Sequence, residues 1–282
     1  MTGKLYLCAT PIGNLEDITL RVLRILKEAD VIAAEDTRQT IKLLNHYHIK
    51  TPLVSYHEHN KVGKTEVLVN QMLEGKMIAQ VSDAGTPGIS DPGEELAKAA
   101  FEAGIEVTSL PGATAVITAV VLSGLSTRRF SFEGFLPMDK KNRNFVLKEL
   151  KQSTKITVFY EAPHRLLKTL NELAESVGME RRIAVCKELT KKHETILQTN
   201  LQEAIVHFEQ TPPKGEFVLV VDGKTREDII HEEREQWLEM SVLEHFDFYM
   251  KQGMDKKDAM KRVAKERGIS KRDVYAEVIR GN

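Results

Sequence analysis

The stretch that most constrains this chain is residues 77–93, MIAQVSDAGTPGISDPG. Met77 to Val81 is a short apolar run bounded by turn residues, which predicts a buried strand. It empties into a loop of glycine, proline, aspartate and serine. Glycines let backbone approach a ligand closely, prolines stiffen the approach, and the unpaired N–H and C=O groups of such a turn can be satisfied by a bound molecule. Glu94 to Gly104 then has helical spacing and a glycine stop, so the unit is strand, ligand loop, helix. Taken alone, the stretch is also compatible with an ordinary surface connection between a strand and a helix.

The flanking sequence repeats the pattern. Leu5 to Ala9 predicts a strand running into Thr10-Pro11-Ile12-Gly13-Asn14 and a helix from Thr19 to Ala29, an opening βα unit of the nucleotide-binding kind. No G-x-G occurs, which disfavours a dinucleotide fingerprint. A strand at Val31 to Ala34 delivers Glu35-Asp36-Thr37-Arg38, read either as a helix N-cap with its acids or as functional groups at a strand end. Pro52 to Ser55 delivers Tyr56-His57-Glu58-His59-Asn60 to the place where open α/β sheets hold ligands. Gly63-Lys64-Thr65 imitates the end of a phosphate-binding loop, but Glu58 stands where that motif has its first glycine. His57 and His59 alternate like metal ligands on a strand, with no further Cys or His pattern to complete a site. Glu106 to Leu110 is a fifth strand, ending in Pro111-Gly112-Ala113-Thr114. An apolar helix at Ala115 to Ser123 is expected to pack on this same sheet. The loops after the first, fourth and fifth strands should share one edge, the predicted cofactor cleft.

A chain of 282 residues exceeds one ordinary core, so a second domain is expected. Strands are predicted at 130–135, 155–160, 182–186 and 215–221, with helices at 165–177 and 201–209, giving a more mixed sheet. Residues 139–151 form a basic segment with five Lys/Arg against two acids, and residues 251–282 carry ten against five. Helices at 256–267 and 270–279 about Gly268, with Ser270 and Asp273 in capping-box spacing, predict a basic αα-hairpin that either contacts RNA or simply packs. The expected division is 1–114, 115–224 and 225–282. The net charge of −1 gives no global nucleic-acid signature. Cys8 and Cys186 fall in apolar runs and read as small buried hydrophobes, without a disulfide. No apolar run reaches membrane-spanning length and the first residues lack a signal-peptide layout, so a cytoplasmic protein without membrane attachment is expected.

ATPIGNLEDI, EDTR, SYHEHN, SDAGTPGISDPG, PGATA, FEGFLP, YEAPHR, KELTK and GEFVLVV occur in the order and spacing of the ribosomal RNA small subunit methyltransferase I family. That family belongs to the tetrapyrrole methylase superfamily, the class III S-adenosylmethionine methyltransferases. The resemblance runs from residue 4 to about 222, and more loosely through the tail. It implies two α/β domains of the tetrapyrrole methylase type with the cofactor cleft between them, plus a small helical C-terminal extension. It implies methyl transfer from S-adenosylmethionine to the ribose 2′-hydroxyl of a cytidine in the decoding region of 16S rRNA, position 1402 in the usual numbering. The substrate would be rRNA, as part of the small ribosomal subunit, and the enzyme a homodimer without a metal.

By positional match to that family, Asp83, Ala84, Gly85, Thr86, Pro87, Ile89 and Ser90, with Pro111 and Gly112, would surround the cofactor. Thr10 and Pro11 would close its floor, and Tyr160 and Glu161 would face it from the second domain. For proton removal from a ribose hydroxyl the candidates are Asp36, His57 and Glu58, with Lys187 lowering the hydroxyl's pKa. Arg38 and Arg165 would hold phosphate. Lys140, Lys141 and Arg143, and on the tail Lys261, Arg262, Lys265, Lys271 and Arg272, would grip the rRNA backbone. Two other classes share part of this pattern: a precorrin or uroporphyrinogen methylase, which needs the cofactor loop but no basic patches, and an RNA-binding protein without catalysis, which needs the patches but no loop.

Overall fold

The computed structural model describes residues 2–225, 227–229, 235, 237 and 240–280. They form two compact units, one holding residues up to 150 together with 156–222, the other residues 151–155 together with those from 223 onward.

The first unit contains two five-stranded sheets. The first comprises β1 (Lys4–Cys8), β2 (Val31–Ala34), β3 (Leu53–Ser55), β4 (Met77–Val81) and β5 (Glu106–Leu110) in the order β3-β2-β4-β1-β5, every pair parallel. Parallel pairing puts all five carboxyl ends at one edge and leaves α1 (Leu20–Glu28), α2 (Thr37–His46), α3 (Lys61–Leu73) and α4 (Gly93–Glu102) to return the chain. Successive residues of a strand face opposite sides. Accordingly Ala79 joins a cluster with Val22, Ile25 and Leu26 of α1, while Ile78 joins one with Leu68, Met72 and Leu96 of α3 and α4. Gly63-Lys64-Thr65 lies inside α3, which removes the phosphate-loop reading.

The second sheet holds β6 (Phe130–Phe135), β7 (Ile156–Glu161), β8 (Arg182–Lys187), β9 (Thr195–Asn200) and β10 (Phe217–Val221), ordered β6-β7-β10-β8-β9. Only β6 and β7 are parallel neighbours; the other three pairs are antiparallel. The carboxyl ends of β6, β7 and β8 and the start of β10 therefore meet at one edge. One face packs Phe159, Val185 and Leu219 against α7 (Leu166–Val177) and α8 (Leu201–Gln210). The other face is covered by α5 (Ala115–Leu122), whose Val116, Ala119 and Val120 meet Val158, Ala184, Val218 and Val220. This differs from the expectation that the helix would cover the first sheet. AVITAVVL is apolar all round and specifies no partner, and the second sheet has a face that its own helices leave bare.

Three more elements differ from the sequence reading. The basic segment at 139–151 is itself a helix, α6 (Lys140–Gln152), started by the Asp139 carboxylate accepting the Asn142 N–H at 2.9 Å. Strand β9, TILQTN, is a half-exposed edge strand with too few apolar residues to stand out. The predicted pair of tail helices, Lys256–Arg267 and Lys271–Arg280, is present, but among the described residues a further helix, Val242–Lys251, packs with it around Phe246, Tyr249, Met260, Val263, Val274 and Val278. Its predicted turn is present: Gly268 is left-handed at φ 67°, and Ser270 and Asp273 exchange the capping-box bonds. Beneath the turn, His245 is fully buried between Glu266 and Arg267 and stacked on Trp237 at 3.8 Å.

Candidate active site

The loop after β4 is pinned before anything binds to it. The Thr10 N–H donates to the Gly85 carbonyl at 2.8 Å, and the Gly85 N–H returns a bond to Thr10 O at 3.0 Å. Gly85 has φ +82°, a conformation that favours glycine, and a Cβ there would crowd the Ile12 side chain at 3.3 Å. The Asp91 carboxylate accepts the N–H groups of Gly88 (2.9 Å) and Gly93 (2.7 Å), closing the loop onto the start of α4. Thr86 Oγ1 donates to Ala113 O at 3.2 Å, tying in the loop after β5. A Cβ on Gly112 would lie 2.7 Å from that of Ala9, so a glycine lets this loop cross the end of β1. The loops after β1, β4 and β5 do share an edge.

A cavity of about 460 Å³ lies between this edge and that of the second sheet. The first sheet lines it with polar groups, among them Glu35, Ser82, Asp83, Thr86, Ser90 and Asp91; the second lines it mainly with Phe135, Tyr160, Pro163, Leu189, Phe217 and Val218. The Tyr160 ring is flanked edge-on by Phe132 (4.8 Å) and Phe135 (5.8 Å), and burial raises its phenol pKa. Among the described residues, five acidic ones line the cavity, Glu35, Asp83, Asp91, Glu161 and Glu216, and no Lys, Arg or His does. Glu161 is internally compensated, accepting Thr169 Oγ1 at 2.6 Å and the Ala162 N–H at 2.8 Å, with Arg165 at 3.5 Å. Glu35 is not: burial, then repulsion from Asp83, raises its carboxyl above the usual range, although a backbone bond from Asp83 opposes this. Asp83 in turn accepts the Asp36 N–H at 2.8 Å. Such a cavity favours a ligand with positive charge at one end and apolar surface at the other, and disfavours phosphates and polycarboxylates.

Of the residues nominated for the cofactor, Asp83, Ala84, Gly85, Thr86, Ile89, Ser90, Tyr160 and Glu161 line this cavity. Thr10 and Gly112 shape the loop without lining it; Pro11, Pro87 and Pro111 are also outside the lining. The nominated catalytic residues, Asp36, His57, Glu58 and Lys187, are absent from it as well. Asp36 caps α2 and accepts Arg38 Nε (3.0 Å) and Nη2 (2.7 Å), bonds that hold its carboxyl down at about 2. Glu58 pairs with Lys61. His57 carries a buried Nδ1 with no hydrogen-bond partner, and its ring lies 6.0 Å from that of His59. Lys187 ends β8, with its backbone paired to Phe217.

The nominated RNA-binding cations divide similarly. Arg143 spends its guanidinium on Pro137 O (2.7 Å), Met138 O (3.0 Å) and Glu172 (2.9 Å), and Arg165 bonds Leu136 O at 2.6 Å, so both hold the fold. Arg38 is 86 % exposed although paired. Lys140, Lys141, Lys261, Lys265, Lys271 and Arg272 are exposed, and Arg262 is exposed while bonded to Glu266 and lying over the Tyr249 ring. Sequence reasoning missed Glu35, whose place beside a plausible N-cap hid it. It also missed most of the apolar wall, because Leu189 and Phe217 just past or at a strand end look like core.

Three comparisons bear on this geometry. The family model of Tetrapyrrole (Corrin/Porphyrin) Methylases matches residues 4–205. The chain is similar to the ribosomal RNA small subunit methyltransferase I of Halalkalibacterium halodurans, with 50% identity over 97% of this chain and 93% of that protein. It is similar to the protein of the same name from Synechocystis sp., with 48% identity over 97% and 96%. Among solved structures, it shares its fold with a uroporphyrin-III C-methyl transferase of Thermus thermophilus complexed with S-adenosyl homocysteine. The TM-score is 0.56 and the identity 18%, over 78% of this chain and 97% of that one.

Proposed function

The chain belongs to the tetrapyrrole methylase family and, within it, to ribosomal RNA small subunit methyltransferase I, and from that premise we propose that it methylates the ribose 2′-hydroxyl of a cytidine in the decoding region of 16S rRNA. It is an S-adenosylmethionine-dependent methyltransferase. The observation that carries the proposal is the cavity with five acidic residues and no basic one. A sulfonium cofactor with an ammonium group suits it, whereas a uroporphyrinogen or precorrin, itself a polycarboxylate, would be repelled. An RNA-binding protein without catalysis would have no use for such a cavity.

The residues present fit the cofactor. Gly85, at φ +82°, lines the cavity without a side chain, and the wall of Tyr160, Leu189 and Phe217 offers an apolar surface to an adenosine. The cofactor supplies a methyl group on a sulfonium, already a strong donor. The protein's part is to align O2′ with that carbon and to take the proton. We assign proton acceptance to Glu35, whose carboxylate would take the hydroxyl proton of O2′ as that oxygen accepts the methyl group the cofactor would supply. Asp36, held at about 2 by Arg38, is a weak base by comparison. His57 leaves a strand adjacent to that of Glu35, since Ala34 pairs with Ser55, but its buried Nδ1 lies outside the cavity lining and is given no part in the step.

Phosphates are gripped outside the acidic cavity, by Arg38, Lys140 and Lys141 and by the basic tail helices. The active form is a homodimer in contact through the outer side of α5, where Val121 is 69 % and Ile117 46 % exposed. It acts in the cytoplasm on the small subunit and without a metal. The test is transfer of a radiolabelled methyl group to small subunits from cells lacking the enzyme, followed by mapping. Label on a cytidine 2′-oxygen of the decoding region is the expected result; label on a base, or none, overturns the proposal.

A further inference from the structure

Resting on the rRNA reading above, we infer that single-stranded RNA leaves the cavity over Phe135 and runs along the exposed face of α6, with Phe145 as a second stacking platform between Lys141 and Lys148. The argument starts from β6. Its pairing with β7 shifts register between Phe132 and Gly134, a bulge made possible by Gly134 at φ +64°. In a regular strand Phe132 and Phe135, three apart, would face opposite sides; the extra residue brings both onto the Tyr160 ring. The bulge thus places Phe135 in the cavity lining while leaving it 51 % exposed, a position from which a ring can stack on a base entering from solvent.

The acidic lining gives the RNA backbone no partner inside, so phosphates flanking the target must be held outside. The chain supplies cations in the next element. On α6, Lys141, Phe145 and Lys148 stand four and three residues apart and share one exposed face, with Phe145 61 % exposed; Met138, just before the helix, is 74 % exposed. A large aromatic displayed in water between two lysines suits an unpaired base and its phosphates, because stacking tolerates any base and lysines follow the backbone. A duplex, whose bases are already stacked, could use the lysines but not the ring. Charge favours RNA over a second copy of this chain, since a two-fold contact would set these lysines against one another.

The test uses full-length enzyme and a short fluorescein-labelled single-stranded oligoribonucleotide, with a duplex of the same length beside it, read by anisotropy across a salt series. Phe145→Ala should weaken single-strand binding about 5- to 100-fold while leaving duplex binding and the salt slope unaltered, and Phe145→Trp should restore it. Lys141→Gln with Lys148→Gln should lower the log–log salt slope by about 1.4. Calorimetry with S-adenosylmethionine should return unchanged affinity in each variant. If Phe145→Ala binds the single strand as wild type does, the track is wrong; if it instead dissociates the protein in sedimentation, the face is a contact between copies. Either result would leave methylation of small subunits by the wild-type enzyme intact, so failure here is separable from failure of the rRNA reading.

Discussion

The two walls of the cavity are built from the same kind of element and are chemically opposite. At the parallel sheet, every strand ends on the same edge, and the loops that follow can each bring polar groups: Glu35, Ser82, Asp83 and Asp91 arrive from two of them. At the mixed sheet, only β6, β7 and β8 end on the cavity side, and β10 begins there, so strand residues themselves form the surface: Tyr160, Cys186, Phe217 and Val218. Loops recognise charge and geometry, whereas strand ends offer packed area. On the reading proposed above, the first wall places the cofactor's charged end and takes the proton, and the second adds apolar area for its adenosine.

The sharpest way to break this division is Glu35→Gln. If the polar wall performs the chemistry, kcat should fall about 10²- to 10⁴-fold with the cofactor's Kd little changed. Single-turnover methylation and calorimetry on the same protein separate the two. A Kd that rises while kcat at saturation stays put would make Glu35 a partner for the cofactor's positive charge instead. Next in size is Gly85→Val. A β-branched residue at φ +82° is strained by roughly 1–3 kcal/mol, and its side chain would press on Ile12, so cofactor affinity should drop about 100-fold or more in a protein whose circular dichroism is unaltered. Unchanged affinity would remove the loop from the site. Tyr160→Leu tests the apolar wall. It removes ring contacts with Phe132 and Phe135, each worth roughly 0.5–1.5 kcal/mol, and should weaken the cofactor about tenfold while kcat at saturation stays near wild type. A fall in kcat alone would blur the division.

The two walls also differed in how legible they were. Gly85 and Asp83 announced themselves because a loop that must hold left-handed backbone needs particular residues at particular positions, whereas Asp91, which caps the loop's own N–H groups and also lines the cavity, was not nominated. Leu189 and Phe217 did not announce themselves, because an apolar residue facing a ligand and one facing a core obey the same burial rule. Helix α5 was placed on the wrong sheet for a related reason: a segment apolar on every side satisfies any apolar face. Glu35 was quoted within EDTR yet passed over for Asp36, since both readings of that quartet put an acid at a strand end. Only the bond from Asp36 N–H to Asp83 and the lining of the cavity separate the cap from the acid that lines the cavity. Arg143 and Arg165 show the limit of charge counting, because a cation's sequence does not reveal that backbone carbonyls have already taken its hydrogens.

The smallest expected effect concerns stability rather than rate, and it asks whether the polar wall is strained before its ligand arrives. Burial, with Asp83 adding repulsion, raises the Glu35 carboxyl above its ordinary value of 4.5. Between the unfolded and the folded value the native protein therefore binds more protons than the unfolded chain, and its stability falls as pH rises through that window. Below 4.5 both states are protonated and the penalty is absent. Glu35→Gln removes the ionisation, so its Tm should exceed that of wild type slightly at neutral pH, with the difference closing as the pH is lowered past 4.5. Saturating S-adenosylmethionine, by adding positive charge, should narrow the neutral-pH difference. A variant that melts below wild type at neutral pH would show that the Asp83 N–H and neighbouring groups hold the carboxylate favourably, and that the acidic wall stores no strain for the cofactor to relieve.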